Sequence, residues 1–103
     1  LVQTREKHLP DLIVGNWYIE CKRYGQGAEP LDGWWDQVIA ATLEDSNPAL
    51  INKSNHRPIK ARVPPHTVND NLPKNFTNTC DFSLESFIVL LKSLFEEDIK
   101  SHL

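Results

Sequence analysis

The strongest constraint on the fold lies in residues 11–23. Between positions 17 and 23 polar and apolar side chains alternate. Tyr18, Glu20 and Lys22 fall on one side, and Trp17, Ile19 and Cys21 on the other. A period of two is the signature of a strand with two different faces. Residues 11–14 form a short apolar run just before it, and Gly15-Asn16 stands between the two segments. Two such residues between extended segments predict a tight antiparallel hairpin. In that hairpin Asp11 comes close to Glu20, at the end away from the turn.

The remaining chain predicts an alternation of strands and helices. Residues 24–32 hold two glycines and one proline and read as a loop. A helix is expected from Asp32 or Gly33 to Leu43, because Trp34, Trp35, Val38, Ile39 and Thr42 recur at helical spacing. Adjacent tryptophans on a helix diverge, so one of the pair is expected to be partly exposed, and packing is the favoured role for both. Ser46-Asn47-Pro48 reads as the stop. Residues 49–52 and 59–63 read as third and fourth strands about the turn Ser54-Asn55-His56, and residues 1–4 as a preceding strand or its remnant. Residues 64–78 are polar and aperiodic, a surface excursion. The last helix has Ser83 as its N-cap, Glu85 in its first turn, and an apolar stripe of Leu84, Phe87, Ile88, Leu91, Leu94 and Phe95. The expected fold class is α/β, one domain over residues 1–103 with a small mixed β-sheet flanked by helices. At 103 residues the core is modest, and a partner chain would add burial.

Composition narrows the setting. Two cysteines make neither a disulfide framework nor a metal cluster, and Cys21 reads as a buried thiol, so a reduced cytoplasmic environment is expected. No apolar run is long enough to span a membrane, and no secretory-signal pattern is present. A net charge of −3 runs against nucleic-acid binding. Its distribution matters more than its sum, and local basic groups occur at Lys22-Arg23 and among Lys53, His56, Arg57, Lys60 and Arg62. The four histidines show no metal-ligand spacing.

Chemistry concentrates at Asp11, Glu20 and Lys22. Hard divalent cations such as Mg²⁺ take a few carboxylate oxygens and retain water. The Cys21 backbone carbonyl is a further candidate ligand. A neighbouring lysine can orient the attacking water or stabilise developing negative charge. Two carboxylates and an ammonium are therefore the set that phosphodiester hydrolysis requires. Each residue alone reads more simply, Asp11 as a turn residue and Glu20 with Lys22 as a solvated strand face. Their convergence favours a site.

Pro10-Asp11 followed by Glu20-Cys21-Lys22 resembles the motif of the PD-(D/E)xK nuclease superfamily, over residues 9–43. With Arg23 and the later Trp34-Trp35-Asp36-Gln37, the segment looks like small phage-type and Holliday-junction-resolvase-like members. The resemblance implies a restriction-endonuclease-like core, with Asp11 and Glu20 binding Mg²⁺ or Mn²⁺, Lys22 assisting the attacking water, and Gln37 facing the site. It implies a DNA endonuclease acting on duplex or branched DNA, and a homodimer suits a two-fold substrate. Arg5, Lys7 and Arg23 read equally as phosphate contacts or as solvated surface, and His8, close to the motif, as a phosphate contact or more simply a loop histidine. Many relatives carry another acid on a helix before the first strand, and residues 1–10 do not supply that helix. Gln37 is followed four residues later by Ala41 rather than the tyrosine of exonuclease relatives, which favours the endonuclease branch. The alternatives are a nucleic-acid-binding module of the same fold without catalysis, and an oligomerising interaction domain.

Overall fold

The hairpin organises the molecule. In the computed structural model, which describes residues 10–25, 31–43, 45–54 and 56–101, β1 (Leu12–Val14) and β2 (Trp17–Tyr24) pair antiparallel. Gly15 has φ 59°, and Asn16 keeps a negative φ. A positive φ at the first turn position alone is the type II′ pattern, whose twist matches that of the flanking strands. The register is Val14 opposite Trp17, Ile13 opposite Tyr18 and Leu12 opposite Ile19, so the next step sets Asp11 opposite Glu20.

Helix α1 (Leu31–Ala41) then carries the chain back, and β3 (Asn47–Ser54) runs parallel to β2 through eight register pairs. Strands β4 (Lys60–Val63) and β5 (Cys80–Ser83) add antiparallel, giving one mixed five-stranded sheet in the order β1-β2-β3-β4-β5. Helix α2 (Leu84–Ser101) follows β5 without a loop. Ser83 Oγ accepts the Ser86 amide at 3.1 Å, the expected N-cap bond. The segment from 64 to 79 contains one 3-10 turn (Pro65–Thr67) and otherwise runs over the surface.

Two of these elements differ from the sequence expectation. Asn47 and Pro48 do not merely stop the helix; they open β3. Asn47 donates its amide to the Asn16 carbonyl at 2.7 Å, so the strand joins β2 from its first residue. Pro48 is tolerated because the β3–β4 ladder reaches only from Leu50 to Asn52, leaving no partner that needs its missing N–H. Strand β5 was not expected: four residues after a polar excursion carry little periodic signal, and β5 is defined by its pairing with β4.

Each face of the sheet carries one helix. On one face Trp17, Ile19, Ala49, Ala61 and Val63 form a buried core under Phe87 of α2, with Leu90, Leu91 and Leu94 packed against it. The rings of Trp17 and Phe87 meet edge to face, 5.5 Å apart at 81°. On the other face Trp34, Trp35 and Val38 of α1 pack on Leu50. Both tryptophans are buried, contrary to the expectation of a partly exposed one. The surface excursion closes over α1, where Trp35 Nε1 donates to the Phe76 carbonyl at 2.9 Å. Ile88, placed in the apolar stripe by spacing, is 41% exposed instead. Cys21 is exposed although its face-mates Trp17 and Ile19 are buried. The reason is the path of α2: its residue Phe95 abuts Gly15 at the turn, so the helix covers the turn end of β2 and not its far end. No described helix is long and apolar enough to cross a membrane.

Gly15 meets two demands at once. Its φ suits an L side chain poorly, and a Cβ there would lie 2.6 Å from Phe95 Cε1. Gly15→Ala is expected to destabilise the fold by about 1–2 kcal/mol, the usual cost of forcing an L-residue into the left-handed region. Urea denaturation monitored by tryptophan fluorescence measures it, and an unchanged midpoint would count against the turn assignment.

Candidate active site

The hairpin register brings two carboxyl groups together. Asp11 stands just before β1, and Glu20 lies on β2 at the next register step. Asp11 Oδ2 accepts the Cys21 amide at 2.8 Å. This side-chain bond takes the place of a ladder bond at the point where Pro10 would be the next partner. Pro10 has no N–H to return to the Cys21 carbonyl. In antiparallel pairing a residue's N–H and C=O turn to the same neighbour, so this carbonyl is directed to the Asp11 side as a third candidate acceptor, and by alternation the Cys21 thiol belongs to the opposite face.

The carboxyl pair is electrostatically strained. Burial pushes Glu20 up to about 7, reinforced by its hydrogen bond to Asp11 and by the Asp11 charge, with Lys22 opposing. Asp11 moves the other way: the hydrogen bond from Glu20 holds it below its usual range, aided by the Cys21 amide and Lys22 and opposed by partial burial. At mildly acidic pH, below about 7, the pair therefore carries about one proton between two carboxyls, as expected for like charges forced together. Bringing a cation to these oxygens would displace that proton.

Lys22 shares the Glu20 face and is half-buried. Its register partner on β3 is Asn52, a buried residue whose amide donates to the carbonyls of Leu50 at 3.4 Å and Lys60 at 3.3 Å. Asn52 was not singled out in the sequence, because its place beside Lys22 depends on the long-range parallel pairing of β2 with β3. Gln37 is exposed on α1, next to Val38, which packs on Leu50; no hydrogen bond among the described residues joins it to the carboxyl pair. Arg23 is exposed, and alternation sets it on the face opposite Glu20 and Lys22. Arg5, Lys7 and His8 lie outside the described residues.

The donor set is made of oxygens. Among the described residues no three His, Cys, Asp or Glu side chains gather where they could hold a metal ion. Two carboxylates and one carbonyl suit a hard cation that retains water and shares its shell with a substrate phosphate, as Mg²⁺ does, and do not suit a closed zinc site. The site is open. A cavity of about 710 Å³ lies at the other end of β2, between the hairpin turn, His66 and the last turns of α2, and excludes Asp11, Glu20 and Lys22. No family model, no characterised protein and no solved structure matches this chain.

The raised Glu20 pKa links stability to pH. Because the folded value exceeds the ordinary 4.5, Glu20 adds stability that is full below about pH 4.5 and is lost as pH rises through about 7. Asp11, shifted down, adds stability that is lost only as pH falls below its ordinary 3.8. Glu20→Gln keeps a neutral hydrogen-bonding group at every pH. Its urea midpoint is expected to match that of the parent near pH 5 and exceed it at pH 8; a parent midpoint that stays level across this range would refute the coupling.

Proposed function

We propose that this chain is a divalent-metal-dependent nuclease with a restriction-endonuclease-like core, hydrolysing DNA phosphodiester bonds as an endonuclease. The observation that carries the reading is the convergence of Asp11 and Glu20 at the open end of the hairpin, with Lys22 on the same face. The proton shared by the two carboxyls supports a cation-binding role, since few arrangements hold like charges together without one. The mixed sheet with a helix on each face is compatible with the resemblance to PD-(D/E)xK nucleases.

In this reading Asp11, Glu20 and the Cys21 carbonyl hold Mg²⁺ or Mn²⁺. When bound, such a cation draws charge from a phosphodiester oxygen and acidifies a water. Glu20 would give up its proton to a bound cation, so metal affinity is expected to weaken as pH falls below about 7. Lys22 offers an ammonium to the phosphate oxygen or to the attacking water, and its half-buried position strengthens that interaction relative to open solvent. Asp11 is kept ionised by the hydrogen bond from Glu20 and aimed by the Cys21 amide. An open site admits a polymer more readily than a closed cavity would.

Branched DNA is the favoured substrate, by resemblance to junction-resolving members, and it suits a homodimer. The outer face of α2 supports association: Ile88 and Ile99, three helical turns apart, are 41% and 61% exposed, with Val89 at 66% beside them. Ile88→Lys is expected to shift the chain towards monomer in sedimentation equilibrium, and an unaltered mass would remove this face from the dimer.

The direct test compares a labelled four-way junction with linear duplex and single strand, in Mg²⁺ or Mn²⁺. Metal-dependent cutting is expected, reduced on the order of 10²–10³-fold in Lys22→Ala, the usual cost of losing one group that stabilises developing charge. Cutting that persists unchanged in Lys22→Ala, or no cutting of any substrate with either metal, would sink the proposal.

A further inference from the structure

The net charge of −3 conceals a cluster of cations at one end of the strands. Lys22 and Arg23 sit near the C-terminal end of β2, and Lys53 near that of β3. His56 and Arg57 occupy the β3–β4 turn, and Lys60 opens β4. At the opposite end the charges are mixed. Asp70 and Glu97 line the cavity beside Gly15 and Asn16 and Asp45 lies two residues before β3, with Lys74 near His66 and Lys100 in the last turn of α2.

Register organises part of the basic end. Lys22, Asn52 and Lys60 form one row across β2, β3 and β4, one step beyond the row that contains Glu20 and Leu50. All share the face that bears the carboxyl pair. At the usual strand spacing Lys22 and Lys60 stand about 10 Å apart across the sheet.

The turn beside this row is held in a fixed shape. His56 has φ 62°, a conformation that side-chain-bearing residues adopt rarely. The Arg57 amide donates to the Ser54 carbonyl at 3.2 Å. Lys53 Nζ donates to the carbonyls of Ser54 and Arg57, at 3.0 and 2.6 Å. Those carbonyl dipoles thus face an ammonium, and the turn presents cationic side chains outward. Arg57 and Lys60 are exposed, and among the described residues neither has an ion-pair partner. By contrast, Arg62 is paired with Asp81 at 3.0 Å and Lys100 with Glu96 at 3.0 Å.

We propose that a nucleic-acid strand reaches the Asp11–Glu20 site along this row, with its phosphates held by Lys60 and Arg57 beyond Lys22. The inference rests on the nuclease reading and adds the contact residues and the direction of approach. Cations spread over two strand spacings suit a polyanion better than a single free phosphate.

The test uses the full chain and a fluorescein-labelled linear duplex in Ca²⁺, with gels confirming that the DNA stays intact. Anisotropy is read across a salt titration. Each phosphate contact contributes about 0.9 to the slope of log affinity against log salt. The Arg57→Ala/Lys60→Ala double variant is expected to lower that slope by about 2, and Lys74→Ala, in the 64–79 segment near His66, to leave it unchanged. A double variant with the parental slope, or an equal loss in Lys74→Ala, would overturn the row as the contact surface while leaving the nuclease reading intact. Should neither the duplex nor a four-way junction be bound or cut, in Mg²⁺ or in Mn²⁺, both readings fall together.

Discussion

Everything in this structure hangs on the parallel ladder between β2 and β3. Two parallel strands cannot be joined by a tight turn, so the chain must leave the sheet and return by a crossover. Helix α1 provides that crossover and buries Trp34, Trp35 and Val38 on Leu50, the register partner of Glu20. The opposite face of the same two strands carries Trp17, Ile19 and Ala49 under α2. The middle strands are therefore core on both sides for part of their length, while Glu20 and Lys22 remain half-buried at the end the helices do not fully cover. The site lies where the sheet outruns its helices.

That position explains its electrostatics. A carboxyl in open water would stay ionised, and one in the deep core would be neutral at any ordinary pH. Glu20 lies between these limits, so burial and the Asp11 charge together bring its pKa to about 7. The hydrogen bond from Glu20, aided by the Cys21 amide, keeps Asp11 the more acidic partner. A short hairpin thus gives two similar side chains different protonation behaviour.

How much of this could be read beforehand depended on sequence distance. The hairpin, the carboxyl pair and Lys22 were legible because one two-residue turn and one alternating strand fix all of them. The α2 N-cap at Ser83 was legible for the same local reason. Features created by distant pairing were not. Strand β5 is recognisable only beside β4, and Pro48 reads as a helix stop until β3 is seen to lie beyond the reach of β4. The hydrogen bond that holds the Trp35 ring depends on Phe76, 41 positions away. Cys21 misled because alternation assigns a face but not whether a helix covers it. The relation of Asn52 and Lys60 to Lys22 likewise required the sheet order.

The hairpin also sets the polymer physics of any ion held there. Asp11 and Glu20 are close along the chain, and the turn between them is already fixed by Gly15 and by the packing of Trp17. Closing a short, preformed loop with a ligand removes little chain entropy, and opening it releases little. The ion would then act as a reversible clasp on one end of the sheet, with folding resting on the two aromatic cores instead. Loading and emptying could proceed by local fraying of β1, without disturbing the ladder between β2 and β3.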